Sequence, residues 1–269
     1  MRVIDMHTHI FPDKVARKAT VATADYFHLP EPPNHYGTVD ELSAALNGAG
    51  IAYAMVFSAA TTEHQVEHIN RYILSETQAH SQFLPCGTLH AGYEGYRAEL
   101  AWMRQNGIFG VKLHPEFQHF PLDDPRLFPM YQEMERTDMF LIAHMGDPRV
   151  DVSGPARMIP IARTFPKLRC IAAHLGNWGD WDIEKIRPLA QLPNVYTDIS
   201  SSFNYTADHD ALYAILACYD PTHVFFGSDY PIWCPQKELK RAMELRLPRD
   251  FLEDILFHNF ARFYHYKTL

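Results

Sequence analysis

Short, nearly continuous apolar segments rich in Val, Ile and Phe recur along the chain. Eight of them can be counted, at residues 2–10, 51–59, 83–90, 108–115, 139–147, 168–176, 194–201 and 223–231. A strand that is apolar on both faces is typical of a parallel sheet, in which helices cover one side and a packed interior covers the other. The pattern therefore predicts eight parallel strands.

The segments between these runs carry apolar side chains at a spacing of three to four residues, the period of an amphipathic helix. Such segments cover residues 61–80, 94–106, 126–138, 208–219 and 249–264. Thr38 stands three residues before Glu41, a capping-box pattern that predicts the start of another helix. After the first interval, successive strands begin 25 to 32 residues apart, close to the ~30-residue period of a β-α-β unit. Eight such units predict an α/β fold, specifically a (β/α)₈ TIM barrel.

The first interval is longer than the others and predicts an insertion at about residues 11–37. Pro32 and Pro33 prevent a helix from running through residues 31–37, so we expect the tail of this insertion to be a loop. Loops that follow the strands of a barrel lie at its C-terminal mouth. We therefore predict a single barrel domain over residues 1–269, with a loop insertion covering the mouth.

Polar side chains interrupt the apolar runs at their C-terminal ends. His7 and His9 stand two residues apart, so both imidazoles lie on the same side of the first strand. His144 ends the fifth run and Asp229 the eighth. Because the strand ends of a barrel form a ring, these four residues become neighbours, and burying them in apolar sequence is costly without a shared purpose. We predict that they bind a divalent metal. Imidazole and carboxylate suit Zn²⁺, with Mn²⁺, Fe²⁺ and Co²⁺ as competitors.

Four further polar side chains occupy the same positions on other strands. They are Lys112 and His114 on the fourth run, His174 on the sixth and Asp198 on the seventh. A single His at a strand end is more often structural than a ligand, so the prediction depends on the whole group. His28 and His35, in the first predicted loop, could reach substrate, but a structural role is favoured for them. The remaining histidines are not assigned to the site.

Composition narrows the class of protein. Hydrophobic residues make up 47% and charged residues 21% of the 269 residues, which fits a globular protein with a large core. The net charge is −8 and no basic run occurs, which disfavours a nucleic-acid partner. No segment approaches the ~18 apolar residues that span a membrane. The four cysteines show no CxxC spacing, and Arg2 leads directly into the first strand without a signal-peptide pattern. We expect a cytoplasmic protein with no membrane partner.

Five segments together resemble one superfamily. They are DMHTH at 5–9, IAHMGD at 142–147, AAHLGN at 172–177, GSDYP at 227–231 and LFHNFARFY at 256–264. Their combination is similar to the amidohydrolase superfamily over nearly the whole chain. The similarity is narrower to the branch of short barrels that includes aminocarboxymuconate-semialdehyde decarboxylase and uncharacterised metal-dependent hydrolases.

The resemblance implies a role for each matching residue. His7 and His9 would ligate one metal ion from the first strand, His144 from the fifth and Asp229 from the eighth. Asp229 would also accept a proton from the metal-bound water. His174 would act as an acid/base or carbonyl-polarising residue beside that water, or would bind a second ion in a binuclear member.

Lys112 departs from the pattern of the decarboxylases in this branch. Binuclear relatives such as dihydroorotase have a lysine on the fourth strand that is carboxylated and bridges two ions, in sequences similar to GVKLHP at residues 110–115. The alternative, which we adopt, is an ammonium group that binds a substrate carboxylate at a site with one ion. His114, two residues further on, lies on the same side and is expected to contact substrate.

These inferences predict an enzyme. The leading hypothesis is a metal-dependent hydrolase in which metal-activated water cleaves an amide, lactone or ester bond in a small molecule. The alternative is a non-oxidative decarboxylase or hydratase of an aromatic-derived carboxylic acid, with Lys112, Arg149 or Arg157 holding the carboxylate. A non-catalytic barrel with a structural metal is disfavoured, because structural zinc sites are closed and rich in cysteine. A homo-oligomer is compatible with the sequence.

Aromatic residues near the predicted mouth favour a flat or ring-containing substrate, although they could also close the barrel or form a subunit contact. They are Phe11, Trp178, Trp181, Tyr205, Tyr230 and Trp233.

Overall fold

A computed structural model describes residues 2–29, 33, 35–203 and 209–264. Within these residues nine strands form two sheets, ordered β1-β2-β3 and β4-β5-β6-β7-β8-β9, and every neighbouring pair is parallel. The strands are β1 Ile4–His9, β2 Tyr53–Phe57, β3 Phe83–Pro85, β4 Gly87–Thr88, β5 Gly110–Leu113, β6 Phe140–Ala143, β7 Cys170–Ala172, β8 Val195–Asp198 and β9 Val224–Phe225.

The two sheets join into one ring of strands. β3 and β4 occupy one predicted run and are separated only by Cys86, whose N–H donates to the carbonyl oxygen of Val56 on β2 at 3.1 Å. At the other junction, the N–H of Met6 donates to Phe226 at 2.9 Å and the N–H of His9 donates to Tyr230 at 2.7 Å. β1 therefore meets the segment that follows β9, as closure of a barrel requires.

Helices alternate with the strands. The described residues form α1 Asp13–Tyr26, α2 Val39–Ala49, α3 Val66–Ala79, α4 Tyr96–Gln105, α5 Pro115–Gln118, α6 Phe128–Arg136, α7 Pro155–Thr164, α8 Ile183–Ala190, α9 His209–Leu216, α10 Pro235–Met243, α11 Arg249–Glu253 and α12 Asn259–Tyr264, with a π-helix, Asp254–His258, between the last two. The predicted capping box at the start of α2 is confirmed, because the Thr38 hydroxyl accepts from the N–H of Glu41 and the Glu41 carboxylate accepts from the N–H of Thr38.

The insertion after β1 is not simply a loop. Its residues 13–26 form α1, which begins directly after Pro12 and contains neither Pro nor Gly. Ala16, Thr20 and Ala24 recur every four residues and are buried, so α1 packs one face onto the barrel. The expectation of a loop is wrong for this part, because a helix whose buried residues are small lacks a strong apolar period. Residues 30–32 and 34 of the insertion lie outside the described residues.

Apolar side chains fill the barrel on both faces of its strands. In β6, Phe140 and Ile142 belong to an inner cluster, whereas Leu141 and Ala143 belong to the larger cluster under the helices. Phe263 of α12 packs against Phe140, with ring centroids 5.1 Å apart. Aromatic packing thus occupies the end where the strands begin, and the opposite end is left to the polar side chains.

Candidate metal centre

Three of the predicted ligands meet at the C-terminal ends of the strands. The Nε2 atom of His7 lies 3.5 Å from Oδ1 of Asp229, and Nε2 of His9 lies 3.6 Å from the same oxygen. His7, His174 and Asp229 each offer one donor atom, and these three atoms lie within 4.8 Å of one another. The strand-end pattern therefore identified residues that the fold does bring together, and their donor atoms could hold a metal ion.

His144 meets this group through His174. Its Nδ1 atom lies 3.0 Å from Nε2 of His174, and its Nε2 atom lies 3.1 Å from the carbonyl oxygen of Gly146. The His144 ring also stacks on His114, with centroids 4.2 Å apart and planes 7° apart. His144 consequently belongs to a second group of potential ligands, completed by His114 and Glu116.

Glu116 was not assigned to the site from the sequence. Its Oε2 atom lies 3.1 Å from Nδ1 of His114, and its other carboxylate oxygen accepts from the hydroxyl of Ser153. Its position in α5, three residues beyond the end of β5, carried no pattern that marked it.

Lys112 lies among the candidate ligands. It is completely buried, and its Nζ atom lies 3.0 Å from Nε2 of His7 and 4.8 Å from the centroid of the Phe57 ring. Burial lowers the pKa of its ammonium to about 8, because removal from water disfavours the charged form.

Asp198 holds His7 in place. Its Oδ2 atom lies 3.0 Å from Nδ1 of His7, both side chains are fully buried, and its Oδ1 atom accepts from the Ser200 hydroxyl and from the N–H of His174. A carboxylate in this position selects the ring orientation in which the other nitrogen, Nε2, faces the site. We noted Asp198 at a strand end but assigned it no role, because only its distance to His7 reveals one.

The imidazoles are in a state that can bind a metal. Burial lowers the pKa of His9 and of His144 well below the usual value for histidine and that of His174 to about 4. Neutral imidazole is the form that ligates an ion. Burial would raise the pKa of Asp229, but His174 and His7 nearby outweigh it and lower that pKa, so the carboxylate stays ionised.

Unusual backbone conformations occur at the same place. His174, Ser201 and Asp229 have φ angles of 58°, 56° and 61°, in the left-handed region that residues other than glycine rarely adopt. Such conformations persist where surrounding contacts over-determine them. Here the N–H of Asp229 donates to the carbonyl oxygen of His7 at 2.9 Å, which ties the segment after β9 to β1.

A cavity of about 350 Å³ opens beside Asp229. We call it the mouth cavity; its lining is His9, Phe11, Ala19, Thr20, Ala22, Thr23, Phe27, Leu29, Ala59, Thr61, His114, Phe117, His119, His144, Trp178, Ser201, Asp229, Pro231, Ile232 and Trp233. Helix α1 and the residues after it form one wall of this cavity. Of the aromatic residues expected at the mouth, Phe11, Trp178 and Trp233 line the cavity, Trp181 and Tyr230 do not, and Tyr205 lies outside the described residues.

Asp229 has a fixed orientation at the cavity wall. The Ser201 hydroxyl donates to Oδ2 of Asp229 at 2.5 Å, and Nε1 of Trp233 donates to the Ser201 oxygen at 2.8 Å. This chain of hydrogen bonds leaves Oδ1 of Asp229 facing His7 and His9.

The family model described as Amidohydrolase matches residues 4–266, and the chain therefore belongs to the amidohydrolase family. The predicted membership is confirmed, and with it the prediction of an enzyme that acts on small molecules. Members of this family generally use a divalent metal, for which this chain has two candidate groups of ligands.

Solved structures share the fold. An uncharacterized TIM-barrel protein from Bordetella bronchiseptica is 18% identical, with 97% of this chain and 98% of that one covered and a TM-score of 0.79. For 5-carboxyvanillate decarboxylase from Sphingomonas paucimobilis the identity is 16%, the coverages 98% and 99%, and the TM-score 0.75. A putative 2-pyrone-4,6-dicarboxylic acid hydrolase from Pseudomonas putida is 18% identical, with 99% of this chain and 98% of that one covered and a TM-score of 0.71.

These similarities confirm the predicted TIM barrel. At such low identity they establish the fold and do not choose between the reactions of the neighbours. No curated protein matches the chain by sequence. Among the described residues, every helix is too short or too polar to cross a membrane.

Proposed function

We propose that this amidohydrolase is a metal-dependent hydrolase that cleaves an amide, lactone or ester bond in a small molecule. The observation that carries the proposal is the placement of Asp229. Its carboxylate lines the mouth cavity, its Oδ1 atom lies 3.5 and 3.6 Å from Nε2 of His7 and His9, and its Oδ2 atom is held by Ser201. One carboxylate can therefore contact both an ion and a substrate.

The donor set fits a zinc ion. His7, His9 and Asp229 would hold one ion, which His144 would join by turning from its contacts with His174 and the Gly146 carbonyl oxygen. Three imidazoles with one carboxylate are ligand types that Zn²⁺ binds in catalytic sites. When bound, such an ion supplies Lewis acidity, which makes water more acidic and polarises a carbonyl group. Asp198 would keep Nε2 of His7 directed at the ion through its contact with Nδ1.

Proton transfer falls to Asp229 and His174. Asp229 is ionised and faces the cavity, so it can accept a proton from the attacking water and return it to the leaving group. His174 offers a donor atom within 4.8 Å of one on Asp229, and its Nδ1 atom lies 2.9 Å from the Ser200 oxygen. We propose that it acts beside Asp229 as a second acid/base group.

Lys112 and His114 were predicted to bind substrate. His114 lines the mouth cavity, which supports this role. Lys112 is enclosed next to His7, outside the cavity lining, and this position supports an action on the metal ligands more than a direct contact with substrate. A carboxylated Lys112 would add a ligand for a second ion; we propose a site with one ion.

The cations that a decarboxylase would need are engaged elsewhere. Arg149 pairs with Asp147 at 2.6 Å, and Arg157 pairs with Asp151 at 2.9 Å. Lys112, the third cation considered for the substrate carboxylate, does not line the cavity. This distribution supports hydrolysis over the alternative of decarboxylation or hydration.

The test is an assay of the zinc-loaded protein against lactones, esters, amides and carboxylated phenols, with acid release and CO₂ release followed separately. We expect cleavage without CO₂ release, and the reverse result would establish the decarboxylase. Asp229→Asn should lose at least 100-fold in kcat while its circular dichroism is unchanged. Asp40→Asn, at an exposed position on α2, is the matched control and should keep full activity.

A further inference from the structure

The mouth cavity has two chemically different ends. His9 and Asp229 form the polar end, where their side chains lie 3.6 Å apart. The aromatic end is built around Phe27, whose ring centroid lies 4.7 Å from that of Trp178 and 5.7 Å from that of Phe117. These three side chains belong to segments far apart in sequence, at the end of α1, in α5 and after β7, so only the folded chain assembles them into one apolar wall.

The two ends are adjacent. Phe27 also approaches His144, with ring centroids 5.4 Å apart, and Phe11 stacks on His9 at 6.4 Å with ring planes 19° apart. A planar molecule that reaches Asp229 with one group therefore places the rest of its ring against these aromatic faces, where offset stacking and edge-to-face contacts are favourable.

Among the described side chains that line the cavity, Asp229 is a carboxylate and none belongs to Lys or Arg. A metal ion held at His9 and Asp229 would supply positive charge at the polar end only, so the aromatic end is the part without a cation. Two arginines are engaged on aromatic rings of the insertion: Arg149 covers the Tyr26 ring at 4.4 Å, and Arg17 covers the Tyr36 ring at 5.0 Å. In sequence, the undescribed residues contain one basic side chain of this kind, Lys267 near the C-terminus.

We infer that the substrate is an uncharged ring compound, a lactone, ester or amide whose reactive carbonyl lies at His9 and Asp229 and whose ring lies against Phe27, Phe117 and Trp178. The inference rests on the proposed function and narrows its substrate class. An anionic group on the ring would lose its hydration at the aromatic end without gaining a cationic partner there. Burial of a charge without a partner is strongly unfavourable.

Binding can be measured apart from turnover. We would titrate the zinc-loaded protein with coumarin and with coumarin-6-sulfonate by calorimetry, since a sulfonate adds a negative charge and is a weak metal ligand. We expect coumarin to bind at least tenfold more tightly. Equal affinities, tighter binding of the sulfonate, or no measurable binding of either compound would overturn the inference.

A charge placed in the wall should reverse the preference. Thr23 lines the cavity on α1, whereas Val21 lies on the exposed side of the same helix. Thr23→Lys should strengthen sulfonate binding at least tenfold, and Val21→Lys should leave it unchanged. Equal responses of the two variants would show that the sulfonate does not reach this wall and would contradict the inference.

Hydrolysis of dihydrocoumarin, measured on the same preparation, separates the two proposals. Selective binding of coumarin without lactone or ester hydrolysis would contradict the proposed function and leave the substrate class standing. Hydrolysis with a preference for sulfonated rings would support the proposed function and contradict the uncharged substrate class.

Discussion

The Nδ1 atom of His7 lies 3.0 Å from Oδ2 of Asp198, and neither side chain is exposed to solvent. The two residues are 191 positions apart, on β1 and β8. Burial would raise the pKa of Asp198, but its contacts with His7 lower that pKa, so the carboxylate remains charged beside the ring. The pair fixes the orientation of His7 before an ion is bound.

Asp198→Asn should therefore weaken metal binding. An amide is a poorer acceptor than a carboxylate, so the orientation of His7 becomes less restricted, and we expect zinc affinity to fall about 10- to 100-fold. Competition with a chromophoric chelator measures this directly. Asp25→Asn on α1 is an exposed control, and an unchanged zinc affinity in Asp198→Asn would contradict the role given to Asp198.

Gly227 lets β1 approach the last strand end closely. A Cβ atom added there would lie 2.7 Å from Cβ of His7 and 3.2 Å from Cβ of Ser200. Gly227→Ala should displace His7, destabilise the protein by about 1–3 kcal/mol and reduce zinc binding. Thermal unfolding and metal titration measure the two effects.

Gly48 provides the control for that substitution. It lies inside α2, and an added Cβ atom would meet nothing within 4 Å. Gly48→Ala should stabilise the protein by about 0.5–1 kcal/mol through helix propensity. If both variants had the same zinc affinity as the parent protein, the close contact of Gly227 with His7 would have no functional importance.

Lys112 decides the number of ions. We expect the protein to bind one zinc ion per chain, with or without added bicarbonate. The Lys112 ammonium is enclosed between His7 and Phe57, and we expect it to stay uncarboxylated there. Lys112→Met should keep this stoichiometry, since it retains an unbranched side chain beside the Phe57 ring. Elemental analysis is the measurement. A second ion that requires bicarbonate and disappears in Lys112→Met would show that Lys112 is carboxylated.

Arg149 joins α1 to the barrel. Its guanidinium pairs with Asp147 at 2.6 Å and donates to the carbonyl oxygen of Tyr26. Burial acts to raise the pKa of Asp147, but hydrogen bonds from Arg149 outweigh it and hold that pKa below its ordinary value of 3.8. Arg149→Met should lower stability by about 1 kcal/mol at pH 7 and raise KM, because α1 forms a cavity wall.

The pH dependence of that loss follows from the direction of the shift. A carboxyl group with a lowered pKa in the folded protein stabilises it above the unfolded pKa, and the contribution disappears as the pH falls through the folded value. The difference in the free energy of unfolding between Arg149→Met and the parent protein should therefore shrink below about pH 4. Urea unfolding at several pH values measures it. Arg187→Met, in an exposed pair with Glu184, should have a smaller effect, and an equal one would argue against the link to α1.

Local patterns in the sequence determined the barrel. Each strand run is apolar on both faces because helices and interior both cover it, and that property is visible in a few consecutive residues, such as 139–147. The same locality reveals the Thr38 cap and the position of His7, His9 and Asp229 at strand ends, since these depend on periods of two or three residues.

Distances between remote segments were decided only by the tertiary structure. Helix α1 forms because its small residues pack on the barrel, and the sequence carries too weak an apolar period to show it. The contacts of Lys112 with His7, of Glu116 with His114 and of Asp198 with His7 depend on how strands are rotated about the barrel axis. A sequence period gives the side of a strand on which a residue lies, whereas the neighbour it meets there is set by the packing of the whole ring.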